Sequence, residues 1–330
     1  MKDIIVQFDK VSVDYEMKNI TLHACTEFSM PLVKGKITAL VGESGSGKTT
    51  IATSLINCIT APGRIVGGKI LLESGKNGQT IDVTRLDEEQ LNKFRWNNVS
   101  MVFQGAQSAL NPIVTVFKQF YETLLVHGVK MAKTEARAKF EALLAKLNLA
   151  PTVLDAYPHE ISGGMKQRVM IAFAMLLDPE VIILDEPTTA LDVITQNYIF
   201  SLLQQINKEN GTTMLLLTHD IAVVAEYADY MGIMYGGRLM EYGPVEDVFE
   251  HKFNPYTRGL IDSTPSLIKD NSRVKPIGGT PVNIAELPNG CPFGDRCDDC
   301  MPICRERMPA EMTVGKDHVV MCYKYTLNNR

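Results

Sequence analysis

"ITALVGESGSGKTT" spans residues 37–50, and its reading decides the fold. The apolar run Ile37 to Val41 reads as a buried strand, and the apolar-patterned "IATSLI" that follows the stretch reads as a helix. Between them Gly42, Gly45 and Gly47 let the backbone turn tightly, so that successive N–H groups point at phosphate oxygens. The start of the helix adds the positive end of its dipole. Lys48 is then expected to reach the β- and γ-phosphates of a nucleotide, and the Thr49 hydroxyl to ligate Mg²⁺. Ser44, Ser46 and Thr50 complete the expected ATP-binding set on this loop.

"VIILDEP" at 181–187 supplies the other half of such a site. Its apolar residues bury a strand and deliver Asp185 and Glu186 to the carboxyl end, where open α/β sheets bind ligands. Asp185 suits the Mg²⁺ shell, and Glu186 suits a base that polarises the attacking water. Acidic residues after a strand are also common loop formers; it is the pairing with the glycine loop that favours chemistry here. Further on come a helix over about 193–209 and the run "TMLLLTHD" at 213–220. Residues 112–126 and 131–149 have helical spacing; in the second, Ala136, Phe140, Leu143, Leu144 and Leu147 recur along one face. Buried apolar strands alternating with helices predict an α/β core around a parallel sheet.

Composition narrows the classes. The 330 residues are 45% hydrophobic and 22% charged, with a net charge of −5. A nucleic-acid partner would call for a basic excess, so none is expected. No run approaches the 18 apolar residues of a membrane span, and the opening "MKDIIVQFDKVSVDYE" lacks the apolar stretch of a secretory signal. The expectation is a reducing compartment, with any membrane association made through partners.

"ISGGMKQR" at 161–168 completes a set of motifs that, together with the two above, resembles the ABC-type ATPases from about Val11 to Leu260. The resemblance implies a P-loop nucleotide-binding domain over 1–250 with an inserted helical subdomain at about 108–178. It also implies roles. Gln104 in "VFQ" would touch Mg²⁺ and the lytic water while sensing the membrane partner, and His219 in "LLTHD" would contact the γ-phosphate. Asp192 in "ALD" would lie in the loop that crosses to the other subunit. Ser162, Gly163 and Gly164 would cap ATP held by that subunit, a small-residue loop opening a helix and so again an anion site. Tyr15 stands where the family stacks an aromatic on adenine; the alternative is a strand aromatic packed as core.

Met165, "FQGAQSALNP", "YPHEISGGM", "DEPTTALDV", "NPYTRGL" and "LPNGCPFGDRC" resemble the D-type ATPase of oligopeptide and dipeptide importers. That subfamily implies a second, F-type ATPase subunit, two transmembrane permease subunits and an extracytoplasmic binding protein, with this chain peripheral on the cytoplasmic face. Other readings keep the engine and change its use: import of nickel or a metal chelate, a soluble ABC ATPase of DNA repair or translation, or an ATPase governed by a redox-sensing tail.

That tail, 251–330, reads as an irregular appendage holding five of the seven cysteines. The subfamily implies a [4Fe–4S] cluster on Cys291, Cys297, Cys304 and Cys322, four thiolates being the usual ligand set. Cys300 creates a local "CDDC" and could substitute for one of them, and zinc is the alternative metal. Free or oxidised thiols are the remaining reading. A bound group would cross-link a segment too poor in apolar residues to make a core.

Overall fold

The computed structural model describes residues 3–76, 78–189, 191–264 and 276–326. Two fourteen-residue strands, β1 (Ile4–Met17) and β2 (Ile20–Val33), pair as an antiparallel hairpin. Alternation puts Val6 and Phe8 inward, and a bulge at Lys10, with φ of 51°, resets the register so that Val11 and Val13 face inward too. With β4 (Gly63–Ser74) and β5 (Gln79–Asp82) they form a four-stranded sheet in the order β2-β1-β4-β5.

The second sheet carries the site. Its parallel part comprises β3 (Ile37–Val41), β6 (Val99–Val102), β7 (Val181–Asp185), β8 (Thr213–Leu217) and β9 (Tyr230–Tyr235), in the order β9-β3-β8-β7-β6. Strands β3, β7, β8 and β9 are buried at every residue, as expected where both faces are covered. One face packs on the first sheet with helix α1 (Lys48–Leu55) between them. α2 (Glu88–Phe94) opens on a capping box, Asp87 with Gln90.

The other face holds the helical block of α3 (Val116–Val126), α4 (Lys133–Lys146) and α5 (Gly163–Met175) together with α6 (Val193–Asn210). Phe120 is its centre. Its ring meets Phe140 at 5.2 Å and Phe173 at 4.1 Å, both edge-on, which ties the three helices of the block together.

After α7 (Ile221–Tyr227), strand β10 (Arg238–Pro244) turns back antiparallel to β9, and α8 (Val245–His251) and α9 (Pro255–Asp262) follow. The sequence predicts only an irregular tail beyond this point, and 276–301 carries little regular structure. Beyond α10 (Pro302–Glu306), however, β11 (Met312–Gly315) and β12 (His318–Val320) form a hairpin, and β12 pairs with β10. A last turn, α11 (Tyr323–Thr326), follows. The tail therefore extends the main sheet to eight strands. Two strands of three and four residues between charged turns leave too short a period to read from sequence.

The joint is polar and buried. Glu241 on β10 and His318 on β12 are 0% and 1% exposed and meet at 2.8 Å. The same carboxylate accepts the backbone N–H groups of Phe253 and Asn254 at 3.1 and 2.9 Å. Removing that carboxylate leaves three groups without their acceptor, those of His318 and Asn254 buried and that of Phe253 partly so. Glu241→Ala is therefore expected to lower stability by about 3–5 kcal/mol, measured by urea denaturation of the full chain.

Candidate active site

The glycine loop sits at the carboxyl end of β3, and the close approach of backbone requires two of its glycines. A Cβ on Gly42 would lie 2.1 Å from the Met234 carbonyl oxygen, and one on Gly47 would lie 2.4 Å from that of Ala24. Gly47, at φ 101°, is also the residue from which α1 starts. Gly45 needs its glycine for φ 77° alone, because a Cβ there meets nothing. Lys48 is buried and curls back over the loop, donating to the carbonyls of Gly42 at 2.6 Å and Glu43 at 2.9 Å. Burial pulls its pKa down, while the nearby carboxylates of Glu186, Asp185 and Glu43 pull the other way.

The neighbouring strand end brings in the acids. Asp185 is buried, and its Oδ2 accepts the Thr49 hydroxyl at 2.9 Å, so two of the three residues expected in the Mg²⁺ shell already touch. Burial pushes the Asp185 carboxyl up; the Thr49 bond opposes this, and the Glu186 charge adds to it. A cation beside Asp185 would reverse that rise.

Glu186 has a left-handed backbone, φ 45°. Its Oε2 accepts Gln104 Nε2 at 3.0 Å, and its Oε1 lies 3.0 Å from His219 Nδ1. Two residues from two other loops thus converge on this carboxylate. Gln104 and His219 are exposed, with 73% of the histidine side chain in solvent, so the carboxylate is held from its open side. The sequence gives no sign of a third contact: the Thr189 hydroxyl donates to the same Oε2 at 3.2 Å.

The remaining expected residues lie apart from this cluster. Tyr15 is half-buried on β1, against Ile59 and Gly63. Ser162 caps α5 by accepting the Met165 N–H at 3.3 Å. Cβ atoms on Gly163 and Gly164 would meet Gln107, Leu191 and Thr195, none of them in the glycine loop. Asp192 caps α6, accepting both the N–H and the hydroxyl of Thr195, and these bonds hold its carboxyl below the usual range. Beside it Val193 and Ile194 are 70% and 84% exposed.

Comparison with known proteins gives the family. Residues 25–189 match the family described as ABC transporter, and residues 240–304 match the oligopeptide/dipeptide transporter C-terminal region. A dipeptide transport ATP-binding protein DppD from Caldanaerobacter subterraneus is 41% identical over 98% of this chain and 97% of its own length. The oligopeptide transport ATP-binding protein OppD of Escherichia coli is 39% identical over 98% and 94%. The chain belongs to the ABC transporter ATPases. Among solved structures, a dimeric bacterial ABC transporter cassette aligns at a TM-score of 0.64 with 27% identity, covering 73% of this chain and 99% of its own. CbiO1 from Clostridium perfringens, part of the ABC transporter complex cbiONQ, aligns at 0.64 with 28% identity, covering 76% and 92%. Among the described residues no helix is long and apolar enough to cross a membrane.

The tail of this ATPase gathers its thiols. Cys291, Cys297, Cys300, Cys304 and Cys322 line one cavity of about 20 Å³, whose walls are otherwise mostly apolar. Burial raises the Cys291 thiol to about 12 and Cys297 to about 11, and it also raises Cys300 and Cys322. Neutral thiols are the result. Among the described residues, no three His, Cys, Asp or Glu side chains stand ready to hold a metal ion. The two cysteines outside the tail read from sequence as small buried hydrophobes; Cys25 is buried and Cys58 is exposed.

The loop's two kinds of glycine separate experimentally. Gly47→Ala is expected to abolish binding of a fluorescent ATP analogue to the full chain, because its Cβ strikes backbone. Gly45→Ala costs about 1–2 kcal/mol of left-handed strain and retains weakened binding.

Proposed function

We propose that this chain hydrolyses ATP to drive import of di- or oligopeptides, as one of two cassettes beneath a membrane permease. The observation that carries the hydrolytic reading is the Glu186 carboxylate, held between Gln104 and His219 and adjacent to the Thr49–Asp185 pair. ATP bound on the glycine loop would displace the Gly42 and Glu43 carbonyls from Lys48, which then pairs with phosphate. Mg²⁺ would be held by Thr49 and Asp185 with Gln104 beside them; when bound it screens the phosphate charge. Glu186 orients the attacking water and draws its proton, and His219 holds Glu186 and meets the γ-phosphate. Tyr15 stacks on adenine.

Ser162, Gly163 and Gly164 have no role at the chain's own loop, which fits a site completed by a second ATPase subunit. Val193 and Ile194 beside Asp192 supply an apolar patch for that contact. An F-type partner, two permease subunits and an extracytoplasmic binding protein complete the assembly, with this chain on the cytoplasmic face. A groove of about 450 Å³ between the Gln104 segment and α3, lined by Trp96, Leu110, Val114 and Val126, fits a cytoplasmic segment of the permease. The peptide cargo rests on the match of the C-terminal region and on the relatives. The domain division at residue 250 belongs to the same reading, with 108–178 as the helical subdomain and 251–330 as the appendage.

We also propose that the cysteine cavity takes a thiophilic group, a [4Fe–4S] cluster before zinc, on Cys291, Cys297, Cys304 and Cys322, with Cys300 as a substitute. Five thiols around one cavity suit such a group, while 20 Å³ has room for about one water, so the thiol side chains must turn outward to seat a cluster. The group would cross-link the tail. Anaerobically purified protein is expected to hold iron and sulfide and to absorb in the visible; stoichiometric zinc without iron overturns the cluster.

Glu186→Gln tests the hydrolytic reading. In the assembled complex it is expected to bind ATP as tightly as wild type while turnover falls at least a hundredfold, measured by phosphate release. Wild-type hydrolysis in that variant would remove Glu186 from its role.

A further inference from the structure

Arg296, in the turn between Cys291 and Cys297, reaches across to the glycine loop. Its guanidinium forks onto the Glu43 carboxylate, Nη1 to Oε2 at 2.8 Å and Nη2 to Oε1 at 2.9 Å. Nη1 also donates to the Tyr235 hydroxyl at 3.1 Å, Nε to the Gly278 carbonyl at 2.8 Å and Nη2 to that of Ile277 at 3.4 Å. All five donors are engaged, and the side chain is 6% exposed. The guanidinium carbon lies over the rings of Tyr235 and Phe293, 5.6 and 5.8 Å from their centroids.

Glu43 is fixed from a second direction as well. Its backbone N–H donates to the Tyr256 hydroxyl at 3.0 Å, and the rings of Tyr235, Tyr256 and Phe293 pack on one another within 5.4 Å. Its carbonyl is one of the two that hold Lys48. The tail thus grips the residue between Gly42 and Ser44, on the loop expected to cradle phosphate. On the other side of the same turn, Phe293 and Cys297 line the thiol cavity. The turn is short and internally bonded, Gly294 N–H to the Cys291 carbonyl at 2.9 Å and Arg296 N–H to that of Phe293 at 3.0 Å, which ties the backbone of Arg296 to that of Phe293.

We propose that Arg296 is a positioning residue for the ATP site: through Glu43 it holds the phosphate loop in its nucleotide-binding shape, and through the 291–297 turn it transmits the state of the cysteine cavity to ATP affinity. A lysine in its place keeps the charge but loses the fork and the ring stacking. The loop then keeps its glycines, Lys48 and helix α1 but has more conformations open to it, so affinity falls while the catalytic carboxylate stays untouched.

This inference rests on the ATP site as read above, and the two fail differently. Binding of a fluorescent ATP analogue with Mg²⁺ is measured on the full chain, with amide hydrogen exchange over residues 42–48 as a second readout. Arg296→Ala and Glu43→Gln are each expected to weaken binding about tenfold and to speed exchange in the loop. Arg296→Lys falls between them and wild type. The double variant is expected to be no worse than either single one. Cys297→Ser weakens binding in the wild-type background and adds nothing to Arg296→Ala. In the assembled complex the rise appears in KM, with kcat unchanged. Should Arg296→Ala fail to fold, Glu43→Gln, on a part-exposed side chain, decides alone. Wild-type affinity in Glu43→Gln, multiplied effects in the double variant, or an undiminished Cys297→Ser effect on Arg296→Ala each overturns the inference. A wild-type chain that binds no ATP overturns the site reading instead.

Discussion

Strand β3 lies between β8 and β9 with all of its residues buried, and its neighbours run parallel to it. Parallel strands end on one edge, so the chain leaves β3, β7 and β8 at neighbouring points of that edge. Gly42, Glu186 and Thr218 are the residues that follow those ends, and the site is what they bring with them. The antiparallel return of β10 puts Gly236 and Gly237 at the same edge, where Gly237 N–H bonds the Ser46 carbonyl at 3.0 Å. One packed strand thus sets the position of the loop, the acids, the histidine and the platform on which the tail rests.

The core explains why the loop can be so spare. Met234 and Ala24 press carbonyl oxygens against Gly42 and Gly47 from opposite sheets, so the loop is shaped by what surrounds it as well as by the bonds of Lys48 to its carbonyls. A chain of glycines left to itself would sample many shapes. Here the entropy is removed by contact, although the N–H groups of Glu43 and Ser46 are already taken, by the Tyr256 hydroxyl and the Glu43 carbonyl.

Those parts were legible in sequence for a physical reason. A strand, a glycine loop and a helix are consecutive, so spacing alone specifies their geometry, and the acids of "VIILDEP" follow from strand burial in the same way. The joining of Gln104 and His219 on one carboxylate is not local, and only the resemblance placed them together. Thr189 carries no mark at all, since a threonine in a loop has many uses. The grip of Arg296 on Glu43 joins residues 253 positions apart, and "GDRC" gives no hint of its target. The cysteines were legible as a group and not as a shape: spacing counts ligands, whereas cavity volume depends on side-chain packing. The hairpin of the tail was missed because its strands are shorter than the period that would reveal them.

That hairpin has a consequence for how the protein is made. A strand at the rim of a sheet offers its unpaired N–H and C=O groups to any other chain that passes. β10 is such a rim until β12 arrives, and 77 residues separate Glu241 from His318. On a ribosome the catalytic sheet is therefore synthesised, with its rim open, well before its cover exists. Nascent chains crowded on one message can stick to one another during that interval, and the pairing of β12 with β10 ends it.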